Sequence, residues 1–513
     1  MANVQGQAAN VASVPAPLGG WNNRDNLADM APTDAVVLQN FFCNPTNVVL
    51  RGGYSVWASG IAGTVETLMA YSGGNTSEFF AAAGANIYDI TAGGAVGAAV
   101  VTGLNSAQWQ YTNVATTGGN FLYAVNGSDS PLLYNGTTWT AITAASTPAI
   151  TGVTTSNLIN VELFKNRVYF IEKNTLKVWY LPTSSIGGAA NVLDLSSIAR
   201  LGGKLVGIAT WTIDAGYGVD DNIVFLTDKG EAIVYAGTDP ASANTFALIG
   251  VWIVGEPLGY RSMMKYGGDI LLLTRSGLLP LAASLQSSRL DPRVALTDKI
   301  AGAFAEATTA YKDNYGWEIV YSAPNNALWV NVPVATGAQQ QYVMNGITKA
   351  WSSFVGWDAT CWENYTSNAY FGGDGYVGKA WTTDYTDNGI NIETQVIQAF
   401  SYFDLRGVKK YFTRARPSIF TNGSPAILVG MNVDFDVSNT TAALSYTAPT
   451  GALWDTAVWD TAVWAPGITI QNNWQGITGI GYCGGIQLRT ASQGISIAWA
   501  ATDVVYQTGW AGV

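Results

Sequence analysis

The acidic residues raise the first question of chemistry. Asp220 and Asp221 are adjacent, Asp434 and Asp436 lie two apart, and Asp384 and Asp387 lie three apart. Paired carboxylates can hold a cation through oxygen ligands, or act as the two carboxyl groups of glycoside hydrolysis. Asp is also a turn former through its own side chain. In a turn-rich sequence like this one, solvated turn and strand-end carboxylates are the favoured reading. Histidine is absent from all 513 residues. That removes Ser-His-Asp and Cys-His catalysis and every His-ligated metal site. The three cysteines, Cys43, Cys361 and Cys483, are odd in number and far apart. They suggest neither a disulfide framework nor a CxxC metal site, and a chain that folds in a reducing compartment. No catalytic residue, cofactor or metal is therefore assigned, and the chain is expected not to be an enzyme.

Two other constellations suit binding rather than chemistry. Trp454, Trp459 and Trp464 close a five-residue unit, Trp-Asp-Thr-Ala-Val, given twice. Residues five apart point to opposite faces of a strand and sit about 140° apart on a helix. The unit therefore suits no element with a single buried face. It could anchor a subunit interface, where tryptophan is enriched, stack on a glycan, or plug its own domain; the interface is the preferred reading. The second constellation is the one clearly basic segment, with Arg406, Lys409, Lys410, Arg414 and Arg416 interleaved with aromatics. It could contact DNA phosphates or, as preferred, form an ion-pair strip to an acidic partner or a neighbouring subunit.

The elements that carry these residues read as β-structure. Charged residues are only 12% of the chain, 48% is hydrophobic, and there are 57 glycines. With abundant Thr, Asn, Val and Tyr, this is the composition of strands joined by tight turns. The net charge is −11, which argues against tight binding to phosphate backbones but suits a channel through which nucleic acid slides. No apolar run is long enough to span a membrane, and the first residues do not read as a signal peptide. A hairpin pattern recurs at Phe79–Ile90, Phe121–Gly136, Val168–Leu181, Ile223–Gly237, Ile270–Ala283, Ile319–Pro333 and Ala369–Trp381. Successive starts are 42 to 55 residues apart, near the repeat of a four-stranded propeller blade. The fold class expected is all-β: a β-propeller of about seven blades plus a β-rich platform. A β-sandwich or multi-sheet protein is the competing architecture. Residues 1–60 read as an N-terminal arm and platform segment, with a helix start near Pro32 running into Ala35–Phe42. Residues 61–390 read as the propeller. Residues 391–513 read as a C-terminal β domain carrying the Trp-Asp repeat.

Several stretches resemble one family. They are Leu18-Gly19-Gly20-Trp21-Asn22-Asn23-Arg24-Asp25, Met30 through Phe42, and Arg51-Gly52-Gly53-Tyr54 near the start. Later come Trp351–Trp362, Tyr370 through Gly375, Asp387-Asn388-Gly389, Phe400-Ser401-Tyr402-Phe403, Gly407-Val408-Lys409-Lys410 and the tandem Trp-Asp repeat. Together these look like tail nozzle, or tail tubular, proteins of short-tailed bacteriophages. The resemblance implies a structural virion protein that forms a homo-hexamer below the head-to-tail adaptor. It implies a ring that extends the DNA channel, retains the packaged genome until ejection and anchors tail fibre, spike or needle proteins. Viral double-stranded DNA would pass through the lumen without tight binding. The location implied is the virion tail, assembled in the host cytoplasm. The alternative function is a glycan-binding or glycan-cleaving propeller, such as a host-surface depolymerase.

Overall fold

The computed structural model describes residues 9–214, 219–285, 292–335, 337–438, 444 and 468–509. The chain is almost entirely strand, with one helix of more than two turns, Ala301–Tyr311, among the described residues. Seven antiparallel units follow one another. The first comprises the second half of the long strand Gly53–Ser72, then Ser77–Ala83, Asn86–Asp89 and Val101–Thr102. The next three begin at Gln110–Thr116, Leu158–Phe164 and Leu205–Asp214, each a four-stranded meander. The fifth, Met263–Tyr266, Asp269–Thr274 and Gly277–Pro280, has three strands and leads into the helical segment. The sixth runs from Glu318–Ser322 to Trp351–Val355. The seventh is Cys361–Tyr365, Asn368–Gly372 and Asp374–Thr382.

The first half of Gly53–Ser72 supplies the fourth strand of the seventh unit, pairing Ala58 with Val377 and Ser55 with Lys379. The same strand then becomes the first strand of unit one. It changes sheets at Gly60 and Gly63, whose φ values of +79° and +96° suit glycine. The first strands also contact one another in sequence around the whole set, and Cys361–Tyr365 returns to Gly53–Ser72. The ring is closed, and the molecule is a β-propeller with its first strands innermost.

Alternation of side chains explains why the ring holds. In Gly119–Val125, Leu122 and Ala124 pack toward unit one, while Tyr123 and Val125 pack toward unit three. Each pair of neighbouring units shares one apolar cluster of this kind, from the Leu68–Phe79–Tyr370 group that joins units seven and one to the Trp329–Trp357–Trp362 group between six and seven. The hairpins legible in the sequence are mostly the second and third strands of their units, which are buried on both faces. Ile270–Ala283 differs at its end, where Leu281–Leu285 turns helical.

A separate cluster forms the core of a two-sheet platform. One sheet continues from unit six through a single parallel pairing of Gln39 with Ser353. It comprises Asp34–Gln39, Ile392–Gln398, Gly484–Ser492 and Ala426–Val433. The other, outer sheet is centred on Lys410–Thr421 and Ile497–Thr508. Asn10–Pro15 joins its edge by pairing with Ile497–Thr508. The N-terminal segment and the C-terminal residues thus build one sandwich. The helix anticipated at Ala35–Phe42 is strand instead. Val36 and Val37 favour that geometry. Asp34, at the start of that strand, accepts from Asn22 Nδ2 at 2.7 Å and from Lys299 Nζ at 2.7 Å.

Candidate functional site

The structure disperses the acidic pairs. Asp221 accepts from Thr212 Oγ1 at 2.9 Å and pairs with Lys165 at 3.0 Å, which lowers its pKa. The Asp220 side chain lies outside the described residues. Asp434 receives the backbone N–H of Tyr482 at 2.7 Å. Asp436 receives the N–H and hydroxyl of Ser438. Asp384 is exposed. Asp387 meets Arg51 in a bidentate pair of 2.8 and 2.5 Å. These are turn and ion-pair carboxylates, and among the described residues no acidic group is arranged to hold a metal. The three cysteines are buried and unpaired. Burial pushes the Cys43 and Cys361 thiols up to about 12, so neither is a ready nucleophile.

The basic segment divides according to which face each residue occupies. Along Lys410–Thr421 the inward residues, among them Phe412, Ala415 and Ile419, join the platform core. Lys410 is inward too and fully buried. Its Nζ donates to the carbonyls of Leu405, Val408 and Tyr482 at 2.7, 3.0 and 2.8 Å, and burial lowers its pKa. Lys410 is thus engaged within the fold and not displayed to a partner. Arg414 and Arg416 face outward with Tyr411 and Phe420. Arg416 pairs with Asp503 at 2.6 Å and lies 4.8 Å from the Trp474 ring centroid. Lys409 lies over Tyr482, and Arg406 lies over Tyr402 with Asp29 at 3.6 Å.

The outward face of this sheet is apolar as well as basic. Register sets Tyr411 beside Ile480, Phe420 beside Ile470, and Arg414 beside Val505, which in turn faces Val11. Val11, Tyr411, Phe420, Ile470 and Ile480 are all exposed, as is Trp474. Apolar and basic side chains are thus interspersed along this exposed face. Trp454, Trp459 and Trp464 lie outside the described residues.

A second feature, unread in the sequence, lies on the propeller axis. A cavity of about 210 Å³ is lined by residues from the first strands of all seven units. Arg261 is its hub. Its guanidinium lies 3.3 Å from Glu318 Oε2 and donates to Thr67 Oγ1 at 3.0 Å and to the Trp109 carbonyl at 3.2 Å. Glu318 also accepts the Trp362 N–H at 2.9 Å. Across the ring, Tyr111 donates its hydroxyl to Glu363 at 2.6 Å. Burial raises all three axial carboxyls, Glu162 and Glu363 to about 7 each, against the partial relief of Lys265 and of the Tyr111 hydrogen bond respectively. The only sequence signal for this group is a polar residue set into an otherwise apolar strand, as in Leu158–Phe164 (LINVELF).

Neither a family model nor a curated protein matches the chain. Solved structures do. YCF48 from Cyanidioschyzon merolae aligns with 11% identity over 64% of this chain and 98% of its own, at a TM-score of 0.37. The Cps50 (Swd1) β-propeller domain of Myceliophteria thermophila aligns with 10% identity over 64% and 99%, at 0.40. These are likenesses of fold; the propeller assignment here rests on the register and the closed ring of first strands.

Proposed function

We propose that the chain is a structural virion protein, the nozzle of a short-tailed phage tail, assembling as a hexameric ring. The sequence resemblance spans the N-terminal arm, the later blades and the platform. The observation that carries the reading is the outward platform face, where exposed Tyr411, Phe420, Ile470 and Ile480 flank Arg414 and Arg416. A lone soluble subunit gains nothing from such a face, whereas a ring subunit would cover it against an acidic neighbour or adaptor. A chain of net charge −11 also suits a conduit that DNA passes without adhering. In this role the propeller and the adaptor-facing platform supply surfaces, and no chemistry is required of either.

Negative-stain imaging of the purified chain, alone and with its adaptor, tests the reading. Sixfold rings are expected, and Tyr411→Asp with Ile480→Asp should leave folded monomers that no longer form them. A stable monomer that cleaves host polysaccharide would sink the proposal. That outcome would favour the glycan-cleaving reading, whose one structural support is the set of axial carboxyls with raised pKa.

A further inference from the structure

We propose that the axial cavity binds a small aliphatic amine through its ammonium group, with Glu162 and Asn160 as the acceptors. Two of the three axial carboxyls are already engaged: Glu318 by Arg261 and the Trp362 N–H, and Glu363 by Tyr111 and the Asn364 N–H. Glu162 differs. It lines the cavity, yet no side chain of the described residues donates a hydrogen bond to it; its contacts are its neighbouring backbone and the field of Lys265. Asn160 lies two residues earlier, on the same face of the strand. It lines the same cavity and is only 7% exposed. Its side-chain amide has no hydrogen-bond partner among the described residues. The Asn160 amide and the Glu162 carboxyl thus stand together on the cavity wall with no side-chain donor to either, and that pairing marks a place for one.

The chemistry of the walls narrows that donor. An anion would face three carboxyl groups, and the one cavity-lining guanidinium is already committed. A divalent metal needs several oxygens within about 2.0–2.6 Å. Among the described residues no such group exists, because the carboxyls stand on different strands. An ammonium asks less: it brings three donors and needs only a few acceptors around one point. Tyr260, which also lines the cavity, offers aromatic surface to the methylenes and to the charge. A cavity of about 210 Å³ is below the ~300–1,000 Å³ of drug-sized sites, so the ligand is a short amine. The other charged or titratable groups facing the site are Arg261, Glu318, Glu363, Tyr111 and Tyr260, with Lys265 on the adjoining strand.

The test is calorimetric titration of the full chain with 1,4-diaminobutane, using 1,4-butanediol as the uncharged control. Saturable one-site binding is expected at pH 8, and none with the diol. The amine needs Glu162 ionised. With its pKa near 7, binding should weaken about tenfold at pH 6, where roughly a tenth of the group is charged instead of nine-tenths. Glu162→Gln should weaken binding at least about tenfold, and Asn160→Leu does the same work should that variant not fold. Acetyl-lysine methylamide, titrated in parallel, distinguishes a free amine from a lysine side chain. Binding of the free amine with tighter affinity supports the proposal. Preference for the lysine compound overturns it in favour of a protein ligand. No saturable heat up to about 10 mM, equal binding by the diol, displacement of the amine by Mg²⁺ at lower concentration, or undiminished binding in folded Glu162 and Asn160 variants would each overturn it.

Discussion

The joint between platform and propeller rests on Arg51, and removing its partner should show how much. Arg51 is fully buried, just before the strand that closes the ring. Its guanidinium makes the bidentate pair with Asp387 and donates to Asn40 Oδ1 at 2.9 Å, to the Gly52 carbonyl at 2.9 Å and to the Val355 carbonyl at 2.6 Å. It also lies 4.9 Å from the Trp357 ring centroid. One side chain therefore ties the chain's way into the propeller, the end of unit six and the segment leading to the platform. Breaking a buried pair by removing one partner costs about 3–5 kcal/mol, because the other charge is left uncompensated. Asp387→Asn keeps the shape and leaves Arg51 its three neutral acceptors, so the loss should be near the low end, about 3 kcal/mol. Arg51→Met also strands Asp387 and removes every one of these hydrogen bonds, for about 4 kcal/mol. The double variant carries no unpaired charge and should cost at least about 2 kcal/mol less than the two single losses together. The assay is the urea midpoint at constant slope. A loss under about 1 kcal/mol for Asp387→Asn, or simple additivity in the double variant, would refute the argument.

Four further outcomes follow from the same reasoning. Lys410→Met should destabilise the chain by about 3 kcal/mol, since three carbonyls lose a charged donor; Arg414→Ala, on the outward face of the same strand, should change monomer stability by less than about 0.5 kcal/mol, both read by urea unfolding. Gly356→Ala should be costly, because its φ is +101° and a Cβ would sit 2.5 Å from Asp387 Oδ2 and 2.8 Å from Arg51 Nη2; a wild-type unfolding midpoint would refute this. Glu162 and Glu363 hold protons in the folded chain up to about pH 7 that the unfolded chain releases near 4.5, so the stability they contribute is full below about 4.5 and lost as pH rises through 7; Glu162→Gln should flatten that decline in a pH series of unfolding midpoints.

The propeller was legible because the central strands of a blade are buried on both faces. Val168–Leu181 and Ile223–Gly237 are apolar runs broken by one turn, and the structure makes each the second and third strands of its unit. The first strands were not legible in the same way. Leu158–Phe164 and Cys361–Tyr365 carry Asn160, Glu162 and Glu363 where the chain lines the axis, so they lack the uninterrupted apolar signal. Ile319–Pro333 is the exception that explains the rule. There the sequence pattern begins on a first strand, because Ile319 and Val320 each pack into a different inter-unit cluster. Closure by Gly53–Ser72 pairs residues more than 300 positions apart, and no local pattern announces it.

The same separation hid the axial group and blurred the basic one. Glu162, Glu318 and Glu363 belong to three units, and only closing the ring brings them to one cavity. The Arg406–Arg416 run was visible as charge, yet its residues do not share a role. Lys409 and Lys410 are consecutive, and in extended chain consecutive side chains leave on opposite sides. One of them had to point into the sandwich, and a buried ammonium persists only where acceptors surround it. The turn at Leu405–Val408 and the Tyr482 carbonyl provide them. The alternation that buries Lys410 with Phe412 turns Tyr411 and, past the irregularity between Phe412 and Arg414, Arg414 to the outside. Charge at this surface is thus inseparable from exposed aromatic area, and a partner drawn by the arginines must also cover Tyr411 and Phe420. An assembly that survives high salt yet fails with Tyr411→Asp would show the apolar half of that contact to be the stronger.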